Sequence, residues 1–175
     1  MSRMKRFIPL LVLTGLGSAA AFGQVSALKG HNSNAPVNVA ADRVEVQDRA
    51  DRAILSGNVV VRQGELTLTA PRLTIAYSNG SGVQLRRIDA SGGVTVKSPS
   101  ETARGNIGIY DTEARIITLI GAVSLVQRDG HVNGGRLTID LDTGRAVMDG
   151  GGPPGMSSQG GRVTGTFTVP QKKGG

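Results

Sequence analysis

The chain has 175 residues, with 26 glycines, no cysteine, no tryptophan, two tyrosines and three phenylalanines. That composition excludes a disulfide-stapled scaffold and a core built on large aromatics, so Val, Ile and Leu must supply the packing. The formal charge is +7, but Arg3, Lys5 and Arg6 fall in an N-terminal leader; the remainder holds 17 basic against 13 acidic residues, a net charge near +4. Such an excess suits an anionic partner, or simply a solvated surface that protects sheet edges.

The leader comes first. Met1 to Arg6 is positively charged, Phe7 to Ala21 is apolar, and small residues follow at Ala19 to Ala21 and Gly23. This order predicts a signal peptide over residues 1–23, cleaved after Ala21 or Gly23, and hence export. The apolar run is short and interrupted by glycine, which argues against a membrane-spanning helix and leaves a non-cleaved anchor as the lesser alternative. Residues 24–35, including Lys29-Gly30-His31-Asn32-Ser33-Asn34, are polar and irregular and predict a flexible lead-in.

From residue 36 to 149 the chain reads as short strands separated by turn residues. A motif recurs as Leu55-Ser56-Gly57-Asn58-Val59-Val60-Val61, as Ala90-Ser91-Gly92-Gly93-Val94-Thr95-Val96 and as Leu119-Ile120-Gly121-Ala122-Val123-Ser124-Leu125. A second module alternates with it: Asp42 to Val46, Pro71 to Ile75, Gly105 to Ile109 and Gly135 to Ile139. The anchor glycines 57, 92, 121 and 150 are spaced by 35, 29 and 29 residues, a range that marks stacked β units. Within each unit the apolar period is two, as in Leu66-Thr67-Leu68-Thr69, so each strand has one apolar and one polar face. Gln63-Gly64-Glu65, Arg128-Asp129-Gly130 and Asp142-Thr143-Gly144 supply turns. The fold class expected is all-β: antiparallel hairpins whose apolar faces look into a common interior. Residues 150–175, opening on Gly150-Gly151-Gly152-Pro153-Pro154-Gly155, predict a Gly/Pro-rich and mostly disordered tail, with Arg162 to Val169 available as an edge strand.

Chemistry-bearing clusters are scarce. His31 and His131 both lie beside turn residues, and the carboxylates Asp89, Glu101, Asp111, Glu113 and Asp129 occur singly around turns. Neither pattern points to a general base or to a zinc site. The glycine-rich stretches precede no helix, so they do not resemble phosphate loops. No enzyme activity, catalytic residue, cofactor or metal is expected. Beyond the leader only Tyr77, Tyr110 and Phe167 could stack on bases, which argues against nucleic-acid binding.

The stretch from Pro36-Val37-Asn38-Val39-Ala40-Ala41-Asp42, through Leu55 to Gly64 and on to Leu66-Thr67-Leu68-Thr69-Ala70-Pro71-Arg72-Leu73, resembles the OstA-like family of lipopolysaccharide-transport proteins. A second match runs from Leu119-Ile120-Gly121-Ala122-Val123 to Gly134-Gly135-Arg136-Leu137-Thr138-Ile139, and the resemblance covers residues 36–149. Size, the leader and the absence of cysteine are similar to the family's soluble periplasmic bridge members.

The resemblance implies an open, twisted β-jellyroll around an apolar groove for lipid A acyl chains. It also implies head-to-tail docking between membrane-anchored and outer-membrane proteins of the same bridge, with possible self-association. The residues expected to line the groove are Val44, Val46, Leu55, Val59, Val61, Leu66, Leu68, Leu73, Ile75, Val94, Val96, Ile107, Ile109, Leu119, Val123, Leu125, Leu137, Ile139 and Leu141. For any one of them, a place in an ordinary closed core explains the alternation equally well. Val37, Val39, Val44 and Val46 are the expected docking edge toward the inner-membrane side, with the last ordered strand, near Ala146 or later, docking onward. Arg62, Arg72, Arg104 and Arg136 are available to lipid phosphates, or as solvated surface charge. Two rival readings stand: a purely structural β-solenoid, and a carrier of a different lipid.

Overall fold

The computed structural model describes residues 31–80, 82–151 and 161–168; the leader and most of the Gly/Pro-rich segment lie outside them. Among the described residues, ten strands form one antiparallel sheet: β1 (Val37–Ala40), β2 (Arg43–Gln47), β3 (Arg52–Gln63), β4 (Leu66–Ser78), β5 (Gln84–Lys97), β6 (Glu101–Asp111), β7 (Ile116–Gln127), β8 (Gly130–Asp140), β9 (Arg145–Asp149) and β10 (Thr164–Phe167). Strands β3 to β8 are long and pair in sequence order, each with the next. Each margin carries a strand in two pieces: β1 and β2 both pair with β3, and β9 and β10 both pair with β8. The margins do not pair with each other, so the sheet stays open.

The recurring glycines bend the long strands. Register shifts fall at Ser56/Val59, Thr69/Arg72, Ser91/Val94, Arg104/Ile107 and Ile120/Val123, level with one another across the sheet. In the odd-numbered long strands the bulge holds two consecutive left-handed residues: Gly57-Asn58, Gly92-Gly93 and Gly121-Ala122. A bulge of this kind adds a residue, bends the strand and increases its twist. Together they crease the sheet into two halves. The first half holds β2, β9 and the segments of β3–β8 paired with them; the second holds β1, β10 and the remaining segments.

Gly121→Val tests the crease. Its φ of +81° disfavours any L side chain, and a Cβ there would lie 2.9 Å from Asn106 Nδ2. The left-handed backbone and the added bulk together are expected to cost about 2 kcal/mol or more in urea unfolding. Ala122→Gly, which relieves the left-handed residue beside it, should leave the protein at least as stable.

The turns repeat as well. Asp111 Oδ1 accepts hydrogen bonds from the Glu113 and Ala114 amides, and Asp140 Oδ1 does the same from the Asp142 and Thr143 amides. These contacts hold the Asp140 carboxyl below the usual carboxylate range, with the Thr143 amide the largest cause. The turns close on left-handed residues, Arg115 (φ +55°) and Gly144 (φ +68°). The same side-chain chemistry thus ends β6 and β8 at equivalent points of the repeat.

Candidate functional site

The pairing register shows which residues share a face, because directly opposed residues in antiparallel strands point the same way. One row on the inner face of the first half runs Val44, Leu55, Leu73, Ala90, Gly108, Leu119, Leu137, Met148. A second runs Val46, Ala53, Ile75, Ile88, Tyr110, Ile117, Ile139, Ala146. In the second half the row is Val39, Val61, Leu68, Val96, Ala103, Leu125, Val132, Gly165. The two halves fold face to face, since residues from the far end of each meet. Val37, Val61, Gln63, Leu66 and Leu68 of one line a common cavity of about 20 Å³ with Ile88, Tyr110 and Ile117 of the other.

Most of the expected groove residues lie in this interior. Leu55, Val59, Val61, Leu66, Leu68, Leu73, Val94, Val96, Leu119, Val123, Leu125, Leu137, Ile139 and Leu141 are buried in a single cluster, and Ile75 packs against it half-buried. Val44 and Val46 belong to the inner rows but are 56% and 60% exposed, because β2 is the margin and nothing continues the rows beyond it. Val37 is half-buried against the cluster and Val39 is exposed, again at that margin.

Ile107 and Ile109 were expected inside, and the register places them on the opposite face. They pair with Ser91 and Asp89, whereas the inner positions of β6 are Ala103, Gly108 and Tyr110. The physical reason lies at Gly108. A Cβ there would stand 3.0 Å from Val94 Cγ1 and 3.2 Å from Leu119 Cδ2, so neighbouring side chains occupy its inner position. The Ile-Gly-Ile alternation therefore marks the outer parity. Sequence reasoning also missed Ile88, Ala90, Tyr110 and Ile117. The alternation Arg87-Ile88-Asp89-Ala90 carried a signal for the first two; Ile116-Ile117 is ambiguous because both residues are apolar.

One end of the interior is polar. Gln63 and Tyr110 are each 5% exposed, and the Tyr110 hydroxyl donates to Gln63 Oε1 at 3.0 Å, joining the two halves. Burial pushes the Tyr110 phenol above its ordinary value, consistent with the hydroxyl staying protonated as the donor. Gln127 Nε2 donates to the buried Glu101 Oε1 at 2.7 Å. Among the described residues no group of three or more His, Cys, Asp or Glu side chains is placed to hold a metal.

The outer faces differ in charge. The ion pairs Arg43–Glu45, Arg86–Glu113, Arg87–Asp89 and Arg115–Asp142 all belong to the first half or to the turns at its end. On the second half, Arg62, Lys97 and Arg104 are exposed among Thr67, Thr69, Thr95 and Thr102. Arg62, Arg72, Arg104 and Arg136 all stand on outer positions, away from the apolar rows.

This architecture has counterparts. Residues 38–145 match the family described as LptA/(LptD N-terminal domain) LPS transport protein. The chain belongs to this family. An uncharacterized protein of Rhizobium meliloti is 30% identical over 159 residues, covering 82% of this chain and 86% of that protein. The LPS-assembly protein LptD of Yersinia pestis is 34% identical over 91 residues, 48% of this chain; the match spans only 12% of LptD. The crystal structure of LptH, the LptA-homologous periplasmic component of the lipopolysaccharide transport device of Pseudomonas aeruginosa, superposes with a TM-score of 0.69 at 19% identity. That match covers 79% of this chain and 99% of LptH, so the family's open jellyroll is shared nearly whole.

Proposed function

We propose that this family member is a periplasmic carrier of lipopolysaccharide, which holds lipid A acyl chains between its two half-sheets and bridges membrane complexes through its open margins. The observation that carries the reading is the set of aliphatic rows, which cross every long strand and end at exposed Val39, Val44 and Val46 on one margin. An acyl chain gains about 0.8 kcal/mol per CH₂ removed from water, without directional demands. A lining of Val, Leu and Ile therefore offers many nearly equal positions, and movement along it meets low barriers. The cavity between the two halves, beside Gln63 and Tyr110, has room for about one water-sized sphere. Acyl chains must accordingly part the two halves, with the crease as the hinge.

The margins fit end-to-end assembly. β9 and β10 run from the first half to the second, whereas β1 and β2 run from the second to the first. A neighbouring molecule with like halves abutting continues the sheet antiparallel, and Met148 and Ala146 come level with its Val44 and Val46. Strand addition of this kind satisfies the free backbone groups that every open margin presents.

A photo-crosslinking residue at Leu68 or Leu125, in cells exporting lipopolysaccharide, is expected to capture that lipid. The same probe at Thr67, Thr138 or the outward Ile107 should capture none. No adduct at either inner position would overturn the carrier reading and leave a structural rod; an adduct of another mass would identify a different cargo.

A further inference from the structure

The side of the molecule opposite the crease is a seam, where the strand ends of the two halves meet. Cargo has two routes to the interior: along the rows from the open margins, or sideways through this seam. Residues 31–35 lie across it. Asn34 N donates to Asn32 Oδ1 and Ala35 N to Asn32 O, which folds the segment into a compact turn. Beneath it, the Gln63 carboxamide is engaged at both its nitrogen and its oxygen. Its Nε2 donates to Ser33 O at 2.8 Å and to Ala35 O at 3.1 Å. Its Oε1 receives the Tyr110 hydroxyl at 3.0 Å and lies 3.3 Å from His31 Nε2. On the other side of the seam, Arg115 Nη2 donates to Asn34 Oδ1 at 3.2 Å, while its Nη1 pairs with Asp142 at 2.9 Å.

We infer that residues 31–35 form a strap closing the seam through which acyl chains reach the interior, with Gln63 as its latch. This rests on the carrier reading above. Chemistry favours the assignment. Deep in the molecule the halves adhere through aliphatic contacts that acyl chains replace without loss. At the seam they are tied by directional hydrogen bonds to one carboxamide. Lifting the strap removes two of that carboxamide's acceptors and loosens the Tyr110 bridge in the same motion, so the latch releases as a unit. Water can then satisfy the freed groups, because the seam lies at the surface while the rows do not.

An Ala35→Cys, Gly64→Cys pair pins the base of the strap beside its Gln63 latch. A Cβ on Gly64 would lie 4.0 Å from that of Ala35, within the roughly 3.5–4.5 Å span of a disulfide, and the chain has no cysteine of its own to compete; the φ of +55° at Gly64 disfavours a side chain, so the reduced double variant is the reference for the comparison. Stopped-flow uptake of a dansyl-labelled long-chain fatty acid is measured on the full mature chain, oxidised and then reduced. The oxidised form is expected to take up the probe at least tenfold more slowly than the same protein after reduction. Arg115→Ala, which frees the strap from the first half at a half-buried position, should accelerate uptake severalfold without changing the amount bound at equilibrium. Equal rates in the oxidised and reduced forms would overturn the strap and place access at the margins. Absence of binding at equilibrium in every form would overturn the carrier reading and this inference with it.

Discussion

Shortening Leu119 to alanine is expected to cost about 2–5 kcal/mol in urea unfolding, the range for truncating a fully buried leucine. Leu119 has no exposed surface and stands near the middle of an inner row, flanked by Gly108 on β6 and Leu137 on β8. Gly108 has no side chain with which to refill the space, and the Leu119 Cδ2 methyl is one of the groups that covers it. A cavity there would therefore collapse poorly, which favours the upper part of the range. Ile107→Ala supplies the contrast: although one strand away and similar in size, it lies half-buried on the outer face and should cost well under half as much. A larger loss at Ile107 than at Leu119 would contradict the register.

Changing Val44 and Val46 together to aspartate is expected to abolish end-to-end association while leaving the folded monomer nearly as stable as before. At 56% and 60% exposure the two side chains contribute little to the core, and substitutions at such positions usually change stability by about 0.5 kcal/mol or less. In a docked pair the same positions would extend the inner rows beside Met148 and Ala146, and two carboxylates would lose water without a partner. That penalty is several kcal/mol, which at about 1.4 kcal/mol per tenfold weakens association on the order of a hundredfold or more. Light scattering across a concentration series reads the effect, with urea unfolding as the control. Unchanged association with intact folding would show that the β1–β2 margin is not the docking edge.

The two experiments separate what a packed interior does from what an unfinished margin does. The aliphatic rows continue from one kind of place to the other: Val44 belongs to the same row as Leu119 and differs only in having no strand beyond it. A closed barrel would have no such row ends. In this fold they coincide with the outer backbone edge of the sheet, so the β1–β2 margin combines a free strand edge with exposed valines.

The period-two alternation is a property of local sequence, and it was legible without a structure. The recurring glycines were legible too, because a left-handed bulge needs a residue without a Cβ at Gly57, Gly92 and Gly121. Most of the inner face followed from the same alternation, from Leu55 to Leu141. Alternation assigns two faces to a strand but does not say which one is inside when both carry aliphatic residues. In β6 the outer face holds Ile107 and Ile109, and the inner face holds a glycine whose space belongs to Val94 and Leu119, so only the register could decide. The seam was beyond sequence reasoning for a similar reason. Gln63, Tyr110, Arg115 and residues 31–35 are far apart along the chain, and it is the crease that folds one half-sheet onto the other and brings their polar groups together.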